Sequence, residues 1–326
     1  MRLLYYLKHL AHHAKPTALH ARRYAALQRY KERCDPAELE RRLAVYLGPA
    51  EAFELPPTAV AKRDFKRTGG TVYWLDVLEF LPYFQPGASF LFKFGDDMTP
   101  CALPTIAKMR SMVYPRDHAV IFKLNKWRHF RFVRDRTPWR AKADRAVWRG
   151  LVVHEWRKRF VEGTWEHPLC DIGQTHPQTD EPWCTPRLTI PEQLRSKFIF
   201  SIEGNDVATN LKWIMSSNSL CVMPKPKVQS WFCESQLEPG VHYARIADDY
   251  SDVDQVLRHY LAHPAEAERI IANAQAHVAR FRDPLLEDLL CIEVLERYTA
   301  LSGQLEARRF APPLAAAMTA AGARTA

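Results

Sequence analysis

The segment from Lys197 to Trp213 has the clearest ligand-binding pattern in the sequence. Its apolar run, Phe198 to Ile202, is rich in aromatic and β-branched residues and predicts a buried strand. Gly204 ends that strand, and Leu211 to Met215 predicts a helix. A strand that leads through a polar turn into a helix binds phosphate in doubly wound folds, because free backbone N–H groups point at the anion. An ordinary strand-to-helix connection fits the same pattern, so both interpretations remain open.

Two carboxylates follow another apolar run. Phe90 to Phe94 predicts a strand, and Gly95 leads from it into Asp96 and Asp97. Parallel sheets bind ligands at the carboxyl ends of their strands, and a carboxylate there can accept a proton from an attacking hydroxyl. The alternative is a Gly-Asp-Asp turn with exposed side chains.

Short apolar runs alternate with helix-like segments and predict an α/β fold with a mostly parallel sheet. The predicted strands are Thr71–Leu75, Ser89–Phe94, Ala119–Leu124, Val147–Gly150, Phe198–Ile202, Ser219–Met223 and Ala244–Ile246. Pro104 to Arg110 is expected to be a helix or loop, Gly163 to Pro191 a long surface insertion, and residues 252–282 helical. Two alternating sets of elements predict two Rossmann-like domains that face a cleft, with extra N- and C-terminal helices.

Four motifs together resemble glycosyltransferase family 90, in particular its bacterial lipopolysaccharide-core branch, which is related to the eukaryotic protein O-glucosyltransferases. The resemblance runs from about Tyr73 to Arg282. The motifs are Gly95-Asp-Asp97, Trp148-Arg-Gly150, the segment Lys197–Trp213 and Leu237-Glu-Pro-Gly-Val-His-Tyr243. The resemblance implies a GT-B-like fold, with an acceptor side and a nucleotide-sugar side.

The resemblance also implies roles for individual residues. Asp96 falls on the catalytic-base position, with Asp97 as its neighbour. Arg157 matches an arginine that contacts the nucleotide, although most arginines form surface salt bridges. Arg149 is expected to orient its loop, and Arg128 lies within the family pattern on the acceptor side.

The donor is expected to contact the loop after the strand at Phe198. Its predicted binding residues are Gly204, Asn205, Asp206, Val207, Ala208, Thr209, Asn210 and Lys212, with Glu234 on the ribose. Asn210 stands where the protein O-glucosyltransferases have an arginine, so Lys212 is expected to supply the charge as a point contact.

The implied reaction moves a hexose or pentose from a UDP-sugar to a hydroxyl of a lipopolysaccharide core. It is expected to invert the anomeric centre and to need neither metal nor cofactor. The predicted organisation is a basic helical region (1–68), an acceptor-side α/β domain (69–145), a nucleotide-sugar domain (146–300) and a disordered tail (301–326).

The composition predicts a surface that attracts anions. The 326 residues carry a formal net charge of +9, with 47% hydrophobic and 25% charged residues. Basic residues concentrate in one run: Lys123, Lys126, Arg128, Arg131, Arg134, Arg136, Arg140, Lys142 and Arg145. A phosphorylated lipopolysaccharide core suits such a patch. The alternative is a non-catalytic module for anionic lipid or nucleic acid, but no nucleic-acid motif accompanies the run, so we expect no nucleic acid as partner.

Residues 1–30 contain six basic residues and no acidic residue, with four tyrosines among them. The pattern fits a helix lying on anionic lipid, and also a helix that packs its tyrosines on the protein. Met1 to Lys8 lacks the long apolar core of a secretory signal, and no apolar run reaches the roughly 18–20 residues that span a bilayer. We therefore expect a cytoplasmic protein, with peripheral contact at the inner membrane surface left open.

Seven scattered cysteines argue against a disulfide framework. His167, Cys170, His176 and Cys184 lie close together in the sequence, but their spacing matches no familiar zinc pattern. Asp252-Val-Asp254 has the spacing of a divalent-metal motif, yet it opens a predicted helix where acids are expected. We read Asp252 as a helix cap and expect no metal.

Overall fold

The computed structural model describes residues 2–13, 15–175 and 180–310. The chain divides into two compact units. Unit 1 is drawn from Met1–Trp127 and Asp283–Ala326, and unit 2 is Arg128–Arg282.

Helices and short strands alternate along the described residues. The helices are α1 (Arg2–His13), α2 (Thr17–Lys31), α3 (Pro36–Leu47), α4 (Thr71–Leu78), α5 (Lys126–His129), α6 (Glu155–Thr164), α7 (Ile190–Gln193), α8 (Leu211–Met215), α9 (Val253–Ala262), α10 (Pro264–Ala279) and α11 (Pro284–Leu301). The strands are β1 (Val60–Ala61), β2 (Ser89–Phe90), β3 (Phe92–Lys93), β4 (Thr105–Ala107), β5 (Met109–Ser111), β6 (Ala119–Ile121), β7 (Ala143–Gly150), β8 (Cys170–Gln174), β9 (Ser196–Phe200), β10 (Leu220–Met223), β11 (Val228–Ser230) and β12 (Ala244–Arg245).

Unit 2 contains a five-stranded parallel sheet in the order β12-β10-β9-β7-β8. Phe160 of α6 packs edge-on against Trp148 of β7 and Phe200 of β9, and all three are buried. Strand β8 lies inside the segment Gly163–Pro191, which the sequence analysis treated as a surface insertion. That expectation is wrong for Cys170–Gln174, because this polar-looking strand pairs with β7 along five residues.

Unit 1 has a smaller parallel sheet in the order β3-β4-β6 and an antiparallel pair, β1 with β2. Two predictions fail here. Thr71–Leu75 was expected to be a strand but forms the first part of α4, and Pro104–Arg110 contains β4 and the start of β5 rather than a helix or loop. A short apolar run does not reveal its own period, and α4 is buried around most of its circumference. The prediction of an α/β fold with parallel sheets is confirmed, and the GT-B arrangement stays a prediction.

Helix α11 carries a series of carboxylates that bind basic and tyrosine side chains from the first part of unit 1. The pairs are Tyr30 with Asp283 at the N-cap, Arg42 and Lys123 with Glu287, Arg23 with Asp288, Lys31 with Glu293, and Tyr24 with Glu296. The hydroxyl of Tyr5 also donates to Asp76 of α4. The tyrosines therefore follow the packing alternative of the sequence analysis. In the described residues, no helix is both long and apolar enough to span a bilayer.

Residues 302–310, which the sequence analysis assigned to the tail, lie along unit 1. The amide of Gln85 donates to the carbonyl of Ala307 at 2.7 Å, and the amide of Arg309 donates to Tyr83 at 3.0 Å. The remainder of the predicted disordered tail, 311–326, lies outside the described residues.

Removing the guanidinium of Arg42 should destabilise the protein far more than removing that of its neighbour Arg41. Arg42 is fully buried and lies 2.6 Å from Glu287, so Arg42→Ala leaves a buried carboxylate short of a partner and should cost about 3–5 kcal/mol. Arg41→Ala is the matched control, because the Arg41 side chain is 61% exposed and its ion pairs at the surface are worth less than about 1 kcal/mol. Urea unfolding measures both. Equal losses in the two variants would show that the buried pair does not stabilise unit 1.

Candidate active site

Asp96 of unit 1 lies beyond the carboxyl end of β3, as the sequence predicted. Its Oδ1 accepts a hydrogen bond from the Tyr73 hydroxyl at 3.0 Å and forms an ion pair with the ammonium of Lys108. Its side chain is 31% exposed, whereas that of Lys108 is 3% exposed. The carboxylate is therefore held from the protein side and remains open to a ligand.

Lys108 and Tyr73 were not among the predicted site residues. Lys108 follows β4, and its ammonium also lies 5.8 Å from the centre of the Tyr73 ring. Burial raises the pKa of Tyr73, so its hydroxyl stays a hydrogen-bond donor. The Lys108 ammonium pairs with the carboxylate of Asp96, and a carboxylate is the form that accepts a proton. In the sequence, Lys108 could have been noticed as a single charged residue among the apolar residues Ile106, Ala107 and Met109.

Asp97 differs from its neighbour. Its carboxylate accepts the amide of Thr99 at 2.8 Å and lies 3.3 Å from Lys93. The hydrogen bond from Thr99 lowers the pKa of this exposed group. For Asp97, the turn alternative of the sequence analysis is the one observed.

Arg157 of unit 2 is anchored by backbone carbonyls. Its guanidinium donates to Leu151, Ile202 and Glu203 at 3.0, 2.8 and 3.0 Å, and it lies over the ring of Trp148. Among the described residues, no carboxylate reaches ion-pair distance from it. The positive charge is thus embedded in neutral acceptors, an environment that favours an added anion.

The charge around Arg157 is shaped by burial and by two further groups. Burial lowers its pKa most, Asp206 opposes the shift, and the charge of Arg128 adds to it. Arg128 itself is exposed on α5. The predicted residues Arg128 and Arg157 therefore contribute to one region of positive potential in unit 2.

The guanidinium of Arg157 lies directly against Gly204. A Cβ at Gly204 would lie 3.0 Å from Nη2 of Arg157 and 3.2 Å from its Cζ. A side chain there would push against a guanidinium that is held on several sides. The glycine therefore permits the close approach of the arginine to the end of β9.

The rest of the predicted donor loop is mostly turned inward. Asp206, Val207 and Ala208 are buried, Thr209 is partly buried, and Asn205 is exposed. Asn210 donates from Nδ2 to the carbonyl of Phe200 at 2.8 Å, so its side chain ties the loop to β9 and does not cap α8. Because α8 has only five residues, its dipole is a weak source of anion binding.

The sequence analysis assigned Lys212 and Glu234 to the donor site, and their burial contradicts that expectation. Both are 1% exposed, and their charged atoms lie 3.0 Å apart. Glu234 also accepts the hydroxyl and the amide of Ser230, each at 2.6 Å. A pair buried in this way joins α8 to β11 and has no surface for a diphosphate or a ribose, so we withdraw both assignments.

Arg149 is held by contacts with β8 and with the loop that follows it. It lies 2.6 Å from Oδ1 of Asp171 and donates to the carbonyls of Asp171 and Pro186 at 2.7 and 3.1 Å. These contacts connect β7 with β8 and with the loop that follows.

Four of the nine basic residues in the run from Lys123 to Arg145 form ion pairs with carboxylates of their own unit. Lys123 and Lys126 pair with Glu287 and Glu79 in unit 1, and Arg140 and Lys142 pair with Glu268 and Asp135 in unit 2. The exposed members are Arg128, Arg131, Arg134, Arg136, Arg140 and Arg145. The run therefore offers less positive surface than its sequence suggests, which weakens the binding-module alternative.

The suggested metal ligands are engaged elsewhere. His167 binds Asp254 at 2.9 Å, and Asp252 stands at the N-cap position of α9 while its carboxylate accepts the amide of Ala247. His176 lies outside the described residues. Within those residues, no group of three or more His, Cys, Asp or Glu side chains could hold a metal ion.

Glu203 is a further residue that the sequence analysis missed. Its carbonyl accepts from Trp156 and Arg157, and its carboxylate accepts the amide of Lys227 at 3.2 Å. Burial raises the pKa of this carboxyl to about 7. In the sequence, Glu203 is recognisable only as a single acidic residue between the apolar run Phe198–Ile202 and Gly204.

The raised pKa of Glu203 should make stability depend on pH. Between its ordinary pKa of 4.5 and about 7, the unfolded chain ionises at this position while the folded protein keeps the proton, so this contribution to stability is lost as pH rises. Relative to Glu203→Gln, the wild type should lose roughly 1–3 kcal/mol between pH 4.5 and pH 8. Urea unfolding at both pH values measures the difference. The exposed Glu162→Gln is the control, and an equal pH dependence in the wild type and Glu203→Gln would contradict the expectation.

Comparison with known proteins agrees with these observations. The model of glycosyl transferase family 90 matches residues 117–301. The O-glucosyltransferase LpsA of Dichelobacter nodosus is 38% identical over 306 residues, which cover 92% of this chain and 96% of that relative. The chain therefore belongs to glycosyl transferase family 90 and is a glycosyltransferase.

Proposed function

We propose that this enzyme transfers glucose from UDP-glucose to a hydroxyl group of a lipopolysaccharide core, with inversion and without a metal ion. The observation that carries the proposal is the carboxylate of Asp96, held by Lys108 and Tyr73 and still open to a ligand. The similar O-glucosyltransferase LpsA supports glucose as the transferred sugar. The core acceptor, the uridine diphosphate and the inversion rest on the family resemblance.

Asp96 acts as the general base. Its carboxylate takes the proton of the acceptor hydroxyl while that oxygen forms a bond to the anomeric carbon of the donor. The bond between the anomeric carbon and the β-phosphate oxygen breaks, and its electron pair leaves with UDP. Lys108 and Tyr73 both contact Oδ1, so they hold the carboxylate in place during the proton transfer.

Arg157 stabilises the departing diphosphate. Negative charge grows on the β-phosphate as the glycosidic bond breaks, and a fixed guanidinium offsets it without reorganisation. The three carbonyl contacts of Arg157 provide that fixation. The exposed Arg128 adds positive charge in the same unit.

Asp96→Asn should abolish transfer while leaving the donor bound. An amide keeps the size of the side chain but does not take the proton, so kcat should fall by at least about 100-fold with little change in the dissociation constant of UDP. Product formation from UDP-glucose and core oligosaccharide measures the first quantity, and calorimetry the second. Asp97→Asn is the matched control and should retain activity. Full activity of Asp96→Asn would remove Asp96 as the base.

Arg157→Lys should weaken UDP binding by about 10- to 100-fold in the presence of EDTA. Lysine keeps the charge but lacks the planar fork that spans several acceptors. The exposed Arg159→Lys on α6 is the control, and a thermal melt of each variant checks that unit 2 remains folded. Tight UDP binding by the wild type that vanishes with EDTA would refute the metal-independent mechanism. Unchanged binding by Arg157→Lys would refute the role of Arg157.

A further inference from the structure

Unit 1 contains a pocket of about 740 Å³, and of its lining residues Tyr73 alone has a role in the proposed reaction. Residues between Thr58 and Tyr73 line it from one side, and residues between Leu91 and Gly95 from the other. Its volume lies in the range of about 300–1,000 Å³ that is usual for small-molecule sites. All of its lining residues belong to unit 1.

Three phenylalanines form an aromatic wall in this pocket. The ring of Phe92 lies 4.9 Å from that of Phe65 and 5.5 Å from that of Phe94, measured between centroids. All three rings are only partly buried. Partly exposed aromatic rings in a row leave apolar surface in water, and burial of such surface favours a ligand with an apolar face.

The wall leads to the catalytic base. The ring of Phe94 lies 5.7 Å from that of Tyr73, and the Tyr73 hydroxyl donates to Asp96. Tyr73 and Gly95 both line the pocket. A ligand seated on the aromatic wall would thus extend towards the carboxylate that takes the proton.

Polar groups border the aromatic wall. Asp64, Lys66 and Thr68 line the pocket and are exposed. Gly69 and Gly70 also line it, and Gly69 has a φ of +135°, which a side chain would rarely adopt. The pocket therefore combines apolar ring faces with hydroxyl, carboxylate and ammonium groups.

We propose that this pocket binds a pyranose ring of the acceptor and presents its neighbouring hydroxyl to Asp96. A pyranose has an apolar C–H face, which stacks on phenylalanine, and a hydroxyl periphery, which binds groups such as Asp64, Lys66 and Thr68. This combination matches a saccharide better than an acyl chain, which has no hydroxyl groups for the polar border. The inference rests on the proposed function, because it assigns the acceptor site of that reaction.

Two variants test the pocket in opposite ways. Phe65→Ala removes one ring of the wall, and Thr68→Trp fills the pocket from an exposed position. Both should weaken binding of acceptor core oligosaccharide by about tenfold. This oligosaccharide is released by mild acid from the lipopolysaccharide of a strain that lacks the enzyme, and is then dephosphorylated. Calorimetry with the full chain measures this affinity and, separately, that of UDP, which should not change.

Phe53→Ala is the matched control. Phe53 is a partly buried phenylalanine of unit 1 that packs on Tyr298 and does not line the pocket, so its loss should leave oligosaccharide affinity unchanged. Wild-type affinity in both Phe65→Ala and Thr68→Trp would overturn the proposal. UDP binding without any oligosaccharide binding by the wild type would also overturn it. Oligosaccharide binding that these variants weaken, in a protein that does not bind UDP, would uphold the pocket and refute the proposed function.

Discussion

The architecture of unit 1 depends on the neutralisation of basic side chains by helix α11. A buried cation is tolerated only with a partner, and Glu287 of α11 pairs with the buried Arg42 and with Lys123. Further carboxylates of α11 pair with the partly exposed Arg23 and Lys31 of α2. The same helix reaches the small sheet. The hydroxyl of Tyr298 accepts the amide of Leu91 at 3.0 Å and donates to the carbonyl of Pro104 at 3.1 Å. The segments that lead to Asp96 and to Lys108 are therefore both fixed to the helix that neutralises the N-terminal charge.

Because of such ion pairs, the net charge overstates the positive surface that the protein presents. A value of +9 suggests a broadly basic surface. However, Arg42, Lys126 and Lys142 form ion pairs with carboxylates of their own units. In the proposed function, the positive charge at Arg157, with Arg128 near it, acts on the ligand. A specific anion site needs this local arrangement more than a high total charge.

Local signals in the sequence were sufficient for several elements. The apolar runs Phe198–Ile202 and Ser219–Met223 predicted β9 and β10, because strands buried in a parallel sheet are apolar along their length. The buried pair of Lys212 and Glu234 was not foreseeable, because it joins residues 22 positions apart whose sequence surroundings do not indicate contact. Lys108 was missed for the same reason, since its role depends on Asp96 from another strand.

In the proposed donor site, Arg157 would hold a loop and also bind the diphosphate. A guanidinium has five N–H donors, and the three carbonyl contacts of Arg157 in the described residues occupy three of them. In the proposed donor site, the other two N–H groups would bind the diphosphate, and the loop contacts would not need to break. Since the guanidinium is already fixed, little side-chain entropy is lost on binding. This arrangement depends on the close approach of Arg157 to the end of β9, which Gly204 allows because it has no side chain. The approach accounts for a glycine at the start of the predicted donor loop.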